Sequence, residues 1–266
     1  MPQRSFTPIP KMGGIDQMTT ESKIRVGAVS YLNTKPLIYG FEQGMMSDQV
    51  ELVNDYPSRI ARMLLLGEID IGLVPVAIIP QLKESYIITD CCIGSVGPVA
   101  SVCLFSEVPL QQVRKVLLDY QSRSSVALTR ILINEYWKIN PELADAREDF
   151  RNHIKGTTAG LVIGDRALEQ RNISPYIYDL GQSWKELTGL PFVFAAWVSN
   201  KRLDDDFVQL FIEANKYGLK HIDDVVSNNR TLVFDLKKYY TQFISYSLDD
   251  LKKKGMELFL QKIAAF

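Results

Sequence analysis

Residues 23–74 read KIRVGAVSYLNTKPLIYGFEQGMMSDQVELVNDYPSRIARMLLLGEIDIGLV, and this stretch decides the fold class. Three short runs rich in β-branched residues, KIRVGAV, VELVN and IDIGLV, alternate with two segments of helical pattern, one near Pro36 to Gln43 and one opening at Pro57. That alternation of strand and helix predicts a parallel α/β sheet. The second helix carries its own punctuation: Pro57 suits a first turn, Ile60, Met63 and Leu64 recur on one face, and Gly67 is free to take the left-handed closing conformation.

A second α/β block begins near Val102 and runs through KVLLD, the long helical pattern SSVALTRILINEYW, AGLVIGD and YIYDL, followed by the strand-like apolar run PFVFAAWVS. From Leu203 onward the pattern is almost wholly helical, with FVQLFIEANKYGL, DLKKYYTQFISY and LDDLKKKGMELFLQKI each placing apolar residues at three- and four-residue spacing. No internal repeat of about 20 to 50 residues is visible, which sets aside solenoids and propellers. Periodicity therefore predicts an α/β chain of two lobes with a helical C-terminus.

Composition narrows the function. The 266 residues are 46% hydrophobic and 23% charged, enough for a substantial core. With 30 Lys and Arg against 31 Asp and Glu, the chain has no long-range field to gather nucleic acid or an anionic membrane. Cys91 and Cys92 are adjacent, an awkward geometry for pairing with each other, and all three cysteines, Cys103 included, read as reduced thiols. His153 and His221 are the only histidines, and no Cys and His set has metal-ligand spacing, so no metal is expected. Residues 1–22 lack the apolar stretch of a secretory signal, and no run of about 18 apolar residues exists to span a bilayer. They read as a loose extension of a cytoplasmic protein.

Candidate binding residues gather at strand ends. Ser30 to Pro36 follows the first strand, where a parallel sheet opens to ligands; Asn33 could both donate to a carboxylate and accept from a hydroxyl there, or act only as a helix cap. Ile93 to Val102 is rich in Gly and Ser, which suits either close ligand approach or a bend between strands. Asp119 to Ser125 leads from a strand straight into a helix, so amides, serine hydroxyls and the Arg123 guanidinium could form an anion cradle, or Ser could simply cap the helix. In Leu161 to Leu168, capping by Asp165 explains most of the pattern. The run from Leu190 to Trp197 reads as a hinge strand between lobes, with Phe192 able to line the cleft. Neither histidine has an acid and nucleophile in recognisable order, and no nucleophile elbow or nucleotide loop is found.

The segments RVGAVSYLNTKPL, LLLGEIDIGLVP, SVGPVASV, LDYQSRSSVALTRILI, LVIGDRAL and YDLGQSWKELTGLPFVFAAWV, with the closing helices, resemble the chorismate dehydratases of the futalosine menaquinone pathway, in order, across nearly all of residues 23–262. The resemblance implies a two-lobed type II periplasmic-binding-protein-like fold. Lobe 1 would combine residues 23–99 and 193–266, lobe 2 would span 100–192, and a substrate cleft without metal or organic cofactor would lie between them. It implies loss of water from chorismate to give 3-[(1-carboxyvinyl)oxy]benzoate, with the substrate's enolpyruvyl carboxylate taking the ring proton. Carried over residue by residue, it points to Asn33 and Ser101 beside the reacting atoms. Ser124 and Ser125 would hold a carboxylate, and Tyr31, Gly97 and Phe192 would shape the cleft. Two alternatives share the scaffold. Dihydroxynaphthoate synthase of the same pathway suggests a histidine base that the motifs here do not supply, and a plain solute-binding receptor is normally exported.

Overall fold

The computed structural model describes residues 23–231 and 233–265, so the expected extension at residues 1–22 lies outside the described residues. β1 (Ile24–Val29), α1 (Lys35–Glu42), β2 (Val50–Asp55), α2 (Pro57–Leu65) and β3 (Ile71–Pro75) follow the alternation read from the sequence. β1 lies between β2 and β3 and runs parallel to both, with Val26 opposite Leu52 on one side and Ile71 on the other. In α2, Pro57 occupies the first turn and Ile60, Ala61 and Leu64 are buried, while Met63 is half-buried. Gly67 closes the helix at a φ of 71°; a Cβ there would meet nothing within 4 Å, so the demand for glycine is purely conformational.

The chain then leaves along β4 (Tyr86–Ser95) and enters a second sheet built from β5 (Val102–Ser106), β6 (Lys115–Leu118), β7 (Glu142–Asp145), β8 (Thr158–Ile163) and β9 (Tyr176–Asp179). α3 (Ser124–Ile131), α4 (Asp165–Gln170) and α5 (Leu180–Thr188) pack around it, and α3 continues as a wider π-helical turn over Leu132–Trp137. β10 (Phe192–Ser199) returns to the first sheet. α6 (Asp205–Lys220), α7 (Ile222–Asn228), the short α8 (Leu236–Lys238), β11 (Ser245–Ser247) and α9 (Asp250–Ala264) complete the chain. The strand orders are β11-β4-β10-β3-β1-β2 and β7-β6-β8-β5-β9.

Only part of each sheet is parallel. β2-β1-β3 and β7-β6-β8 run parallel, whereas β10 is antiparallel to β3 and β4, and β5 is antiparallel to β8 and β9. The strand that enters the second sheet, β5, and the strand that returns to the first, β10, each run opposite to the neighbours on both sides, whereas β4 keeps the sense of β1 to β3, a constraint invisible to local periodicity. The C-terminal region is not wholly helical either. Ser245–Ser247 leaves the helical path to pair with the free edge of β4, Ser245 lying opposite Gly94.

The aromatic core ties the C-terminal helix to the returning strand. Phe192 lies 5.3 Å from Trp184, 4.7 Å from Phe194 and 5.0 Å from Phe259, in edge-on arrangements that join α5, β10 and α9. Trp197 packs edge-on against Phe211 at 5.1 Å, and its indole N–H donates to Asn215 at 2.7 Å, which satisfies the polar tip of a buried ring. No helix among the described residues is long and apolar enough to cross a membrane.

Candidate functional site

The C-terminal ends of β1 and β6 face each other across the boundary between the sheets. A mostly apolar cavity of about 50 Å³ lies there, into which Tyr31, Asn33, Thr34, Ser122, Ser124 and Ser125 bring polar groups beside Gly164 and Phe194.

The first wall follows from the turn after β1. Tyr31 is extended, at φ −84° and ψ 158°, and Leu32–Thr34 form a tight 3-10 turn before Pro36 enters α1. The residue at the cap position of α1 is Thr34, which makes no side-chain cap bond, so Asn33 is not spent on capping. The Asn33 carbonyl accepts from the Tyr246 hydroxyl at 2.9 Å, and its side-chain oxygen accepts from Thr34 Oγ1 at 3.3 Å. The amide nitrogen faces no partner among the described residues.

The second wall is the entry to α3. The cap position of α3 is Arg123, which makes no side-chain cap bond, and Ser122 Oγ, one residue earlier, accepts the Ser125 N–H at 3.0 Å. Ser124 Oγ accepts the Ala77 N–H at 3.1 Å, from the segment after β3, which leaves the Ser125 hydroxyl as the freer group at the cavity. Arg123 does not join this cradle. It lines a separate open groove of about 700 Å³ along the lobe boundary with Tyr56, Ser58, Arg59 and Tyr120, where Arg59 is already paired with Asp55. The smaller cavity, where polar groups converge from both walls onto an apolar lining, is the better candidate site.

Hydrogen bonds clasp the lobes around it. The Tyr31 hydroxyl donates to Gln121 Oε1, the Ser58 N–H donates to the Gln121 carbonyl at 3.1 Å, and Ser58 Oγ donates to the Tyr120 carbonyl at 3.1 Å. The Tyr31 ring lies against Gly164, where a Cβ would come within 2.7 Å of it and where φ is 66°, so only glycine fits. Burial pushes the Tyr31 phenol well above its ordinary value, which keeps it a hydrogen-bond donor.

Gly164, not Asp165, occupies the cap position of α4, because its positive φ shifts the helix start by one residue. Asp165 instead accepts the Leu32 N–H at 3.0 Å from the other side of the boundary. Burial raises its carboxyl from 3.8 to about 6, with Glu169 adding to the rise and the Leu32 amide and Lys35 opposing it. The folded protein then holds this proton more tightly than the unfolded chain, so this group's contribution to stability falls as pH rises from about 4 to about 6, on the order of 3 kcal/mol in all. Asp165→Asn keeps an oxygen for Leu32 and removes the charge. Its stability relative to the native chain should therefore increase between pH 4 and pH 7 in paired thermal melts, and an unchanged difference would contradict the assignment.

Of the residues expected at the cleft, Phe192 and Gly97 line no part of the cavity, and Ser101 adjoins it from behind its wall. Phe192 is fully buried in the aromatic core, and Phe194 lines the cavity. Gly97 sits in the loop between β4 and β5 against the start of α5, with its Cβ direction 3.2 Å from Gln182 Oε1. Ser101 is fully buried behind the cavity wall formed by Val102 and Gly164, and its Oγ accepts from the Tyr239 hydroxyl at 2.6 Å. Tyr239 and Tyr246, which hold Ser101 and Asn33, were not singled out from sequence. The one available signal was a cluster of tyrosines, 239, 240 and 246, inside an amphipathic pattern, since buried tyrosines need polar partners. His153 is exposed, and His221 is half-buried with Nδ1 2.7 Å from the Tyr217 carbonyl, both away from the cavity. Among the described residues no three His, Cys, Asp or Glu side chains gather as metal ligands.

Two α/β lobes joined by crossing strands, with a cavity at their boundary, define a protein of the periplasmic-binding-protein-like class. Solved structures share the architecture. An Archaeoglobus fulgidus protein superposes with a TM-score of 0.75 at 14% identity, covering 94% of this chain and 98% of that one. A Candida albicans protein described as having the generic periplasmic binding protein fold superposes at 0.61 and 14% identity, covering 92% and 91%. The chain belongs to the menaquinone biosynthesis family, whose model matches residues 24–265. A chorismate dehydratase of Thermus thermophilus is 26% identical over 261 residues, covering 90% of this chain and 94% of that protein.

Proposed function

We propose that this protein is a chorismate dehydratase, a carbon-oxygen lyase that acts in the cytoplasm on the futalosine route to menaquinone. The observation that carries the reading is the cavity that brings Asn33 and Tyr31 from one lobe to Ser125 from the other, in a chain similar over 90% of its length to a chorismate dehydratase. Lobe 1, residues 23–99 and 193–266, and lobe 2, residues 100–192, would part to admit chorismate and close over it.

The reaction asks little of protein acids and bases. A ring C–H and a ring C–O bond break, the proton and hydroxide leave as water, and the C–H electron pair completes the aromatic ring. Aromatisation supplies the driving force. The protein needs to fix one conformer of the substrate, offer hydrogen bonds to the departing oxygen and the carboxylates, and exclude bulk water. Within this reading, the substrate's own enolpyruvyl carboxylate takes the proton, Asn33 and Ser101 are the catalytic groups, and the start of α3 receives a carboxylate.

Purified protein treated with a chelator is expected to convert chorismate to the enolpyruvyl benzoate with no added metal or nucleotide, read by mass spectrometry as a loss of about 18 Da, the mass of one water, set by the stoichiometry of dehydration. Chorismate bound and released unchanged would instead make the protein a receptor. Activity lost on chelation and restored by a divalent metal would overturn the cofactor-free reading. The double change Ser124→Ala with Ser125→Ala is expected to raise KM more than it lowers kcat, because a cradle remote from the breaking bonds contributes largely uniform binding. Ser124→Ala alone should also cost about 1–3 kcal/mol of stability, since the Ala77 N–H loses its partner. Collapse of kcat at unchanged KM would remove α3 from the carboxylate site.

A further inference from the structure

Ser101 follows a backbone feature that residues with a side chain rarely adopt. Ala100 has a φ of 63°, and the Ser101 N–H donates to the Val99 carbonyl at 2.8 Å, closing a three-residue γ-turn of the strained hand around Ala100. Such strain persists only where neighbours over-determine it, and it gathers at functional sites.

The neighbours are specific. The half-buried Asp179 carboxylate accepts the Ala100 N–H at 2.8 Å and the Val99 N–H at 3.0 Å through Oδ2, and it accepts the Gln182 N–H at 3.1 Å through Oδ1, so one side chain both clamps the turn and caps α5. Arg171 Nη1 donates to the Ala100 carbonyl at 3.2 Å from the other side. The Ser101 carbonyl then accepts the Gly164 N–H at 2.8 Å, which fixes the serine against the residue that lines the cavity. Finally the Tyr239 hydroxyl donates to Ser101 Oγ at 2.6 Å, with both residues fully buried. With the Tyr239 proton on Ser101 Oγ, the serine's own proton has no other acceptor among the described residues and is left for a ligand.

We propose that Asp179 and Tyr239 are positioning residues that hold Ser101 as a hydrogen-bond donor toward the substrate cleft, Asp179 through the strained Val99-Ala100-Ser101 turn and Tyr239 through the hydroxyl itself. The inference rests on the reading of Ser101 as a catalytic group. It adds that the serine works only in the orientation the two residues impose, so their effect on turnover must pass through it.

A double-mutant cycle tests this. Tyr239→Phe keeps the ring and removes only the hydroxyl. In the native background kcat is expected to fall about tenfold while KM changes less than about threefold, and in a Ser101→Ala background the same change should leave kcat within about twofold. Asp179→Asn gives up one accepting oxygen and is expected to lower kcat likewise, and Ala100→Gly, which takes a positive φ without strain, should restore at least about threefold of that loss. The Gly change should do nothing for Tyr239→Phe. Equal losses from Tyr239→Phe in both backgrounds, or no loss in the native one, would overturn the proposal while Ser101 stays catalytic. Full turnover in Ser101→Ala alone would overturn the catalytic reading of Ser101, and this inference with it.

Discussion

Asp119→Ala is expected to destabilise the protein by about 3–5 kcal/mol, measured by denaturant unfolding. The Asp119 side chain is fully buried and accepts from Arg166 Nη2 at 2.8 Å and 2.9 Å, from the Gln121 N–H at 3.0 Å and from the Ile163 N–H at 3.1 Å. Arg166 depends on it heavily, because Nε and Nη1 are buried without a partner and only Nη2 is engaged, with Asp119 and with Gln121 at 2.8 Å. Removing the carboxylate leaves a buried guanidinium uncompensated and two backbone donors unpaired, which is the costly way to break a buried ion pair. The damage should reach the site, since Gln121 is the residue that clasps Tyr31 and Ser58 from the other lobe. Combining Asp119→Ala with Arg166→Met should cost clearly less than the sum of the two single changes, because the second removes the stranded charge. Strict additivity, or a loss below about 1 kcal/mol for Asp119→Ala, would show that the pair does not hold the structure as argued.

What could be read from the sequence was what local physics decides. The parallel strands and α2 were legible because β-branched runs, Pro57 and Gly67 mark them within a few residues of themselves. β7 and β11 were not: ELAD and SYS are short, and pairing with an existing edge makes them strands, not their own pattern. Tyr31, Asn33, Ser124 and Ser125 could be placed at the cleft because a strand end and a helix start put them there. The choice between Phe192 and Phe194 lay beyond alternation, since both are apolar, two apart on β10, and the pairing with β4 shifts register between Val193 and Ala195. Asp165 looked like a cap because the positive φ of Gly164 cannot be read from a glycine followed by an acid. The tyrosines that hold Ser101 and Asn33 lie 138 and 213 residues away along the chain, and only the tertiary fold brings them in.

Asn33→Ala and Ser101→Ala are each expected to lower turnover at saturating chorismate by about tenfold or more, roughly 1.4 kcal/mol of transition-state stabilisation. The two changes should separate in their effect on the fold. Asn33 supports the turn through its carbonyl, which Tyr246 engages and which alanine retains, and its side chain meets only Thr34 Oγ1 at 3.3 Å, so Asn33→Ala should melt close to the native protein. Ser101→Ala strips the buried Tyr239 hydroxyl of its acceptor and should cost about 1–3 kcal/mol of stability as well. A loss of turnover shared by a variant that keeps its stability and one that does not cannot be a stability effect. Such a loss reports hydrogen bonds that strengthen as the ring proton and hydroxyl depart, which act on kcat and not on KM. If instead only Ser101→Ala loses turnover, in proportion to its unfolded fraction, Asn33 is a cavity-lining residue without a catalytic part and Ser101 is a strut for Tyr239.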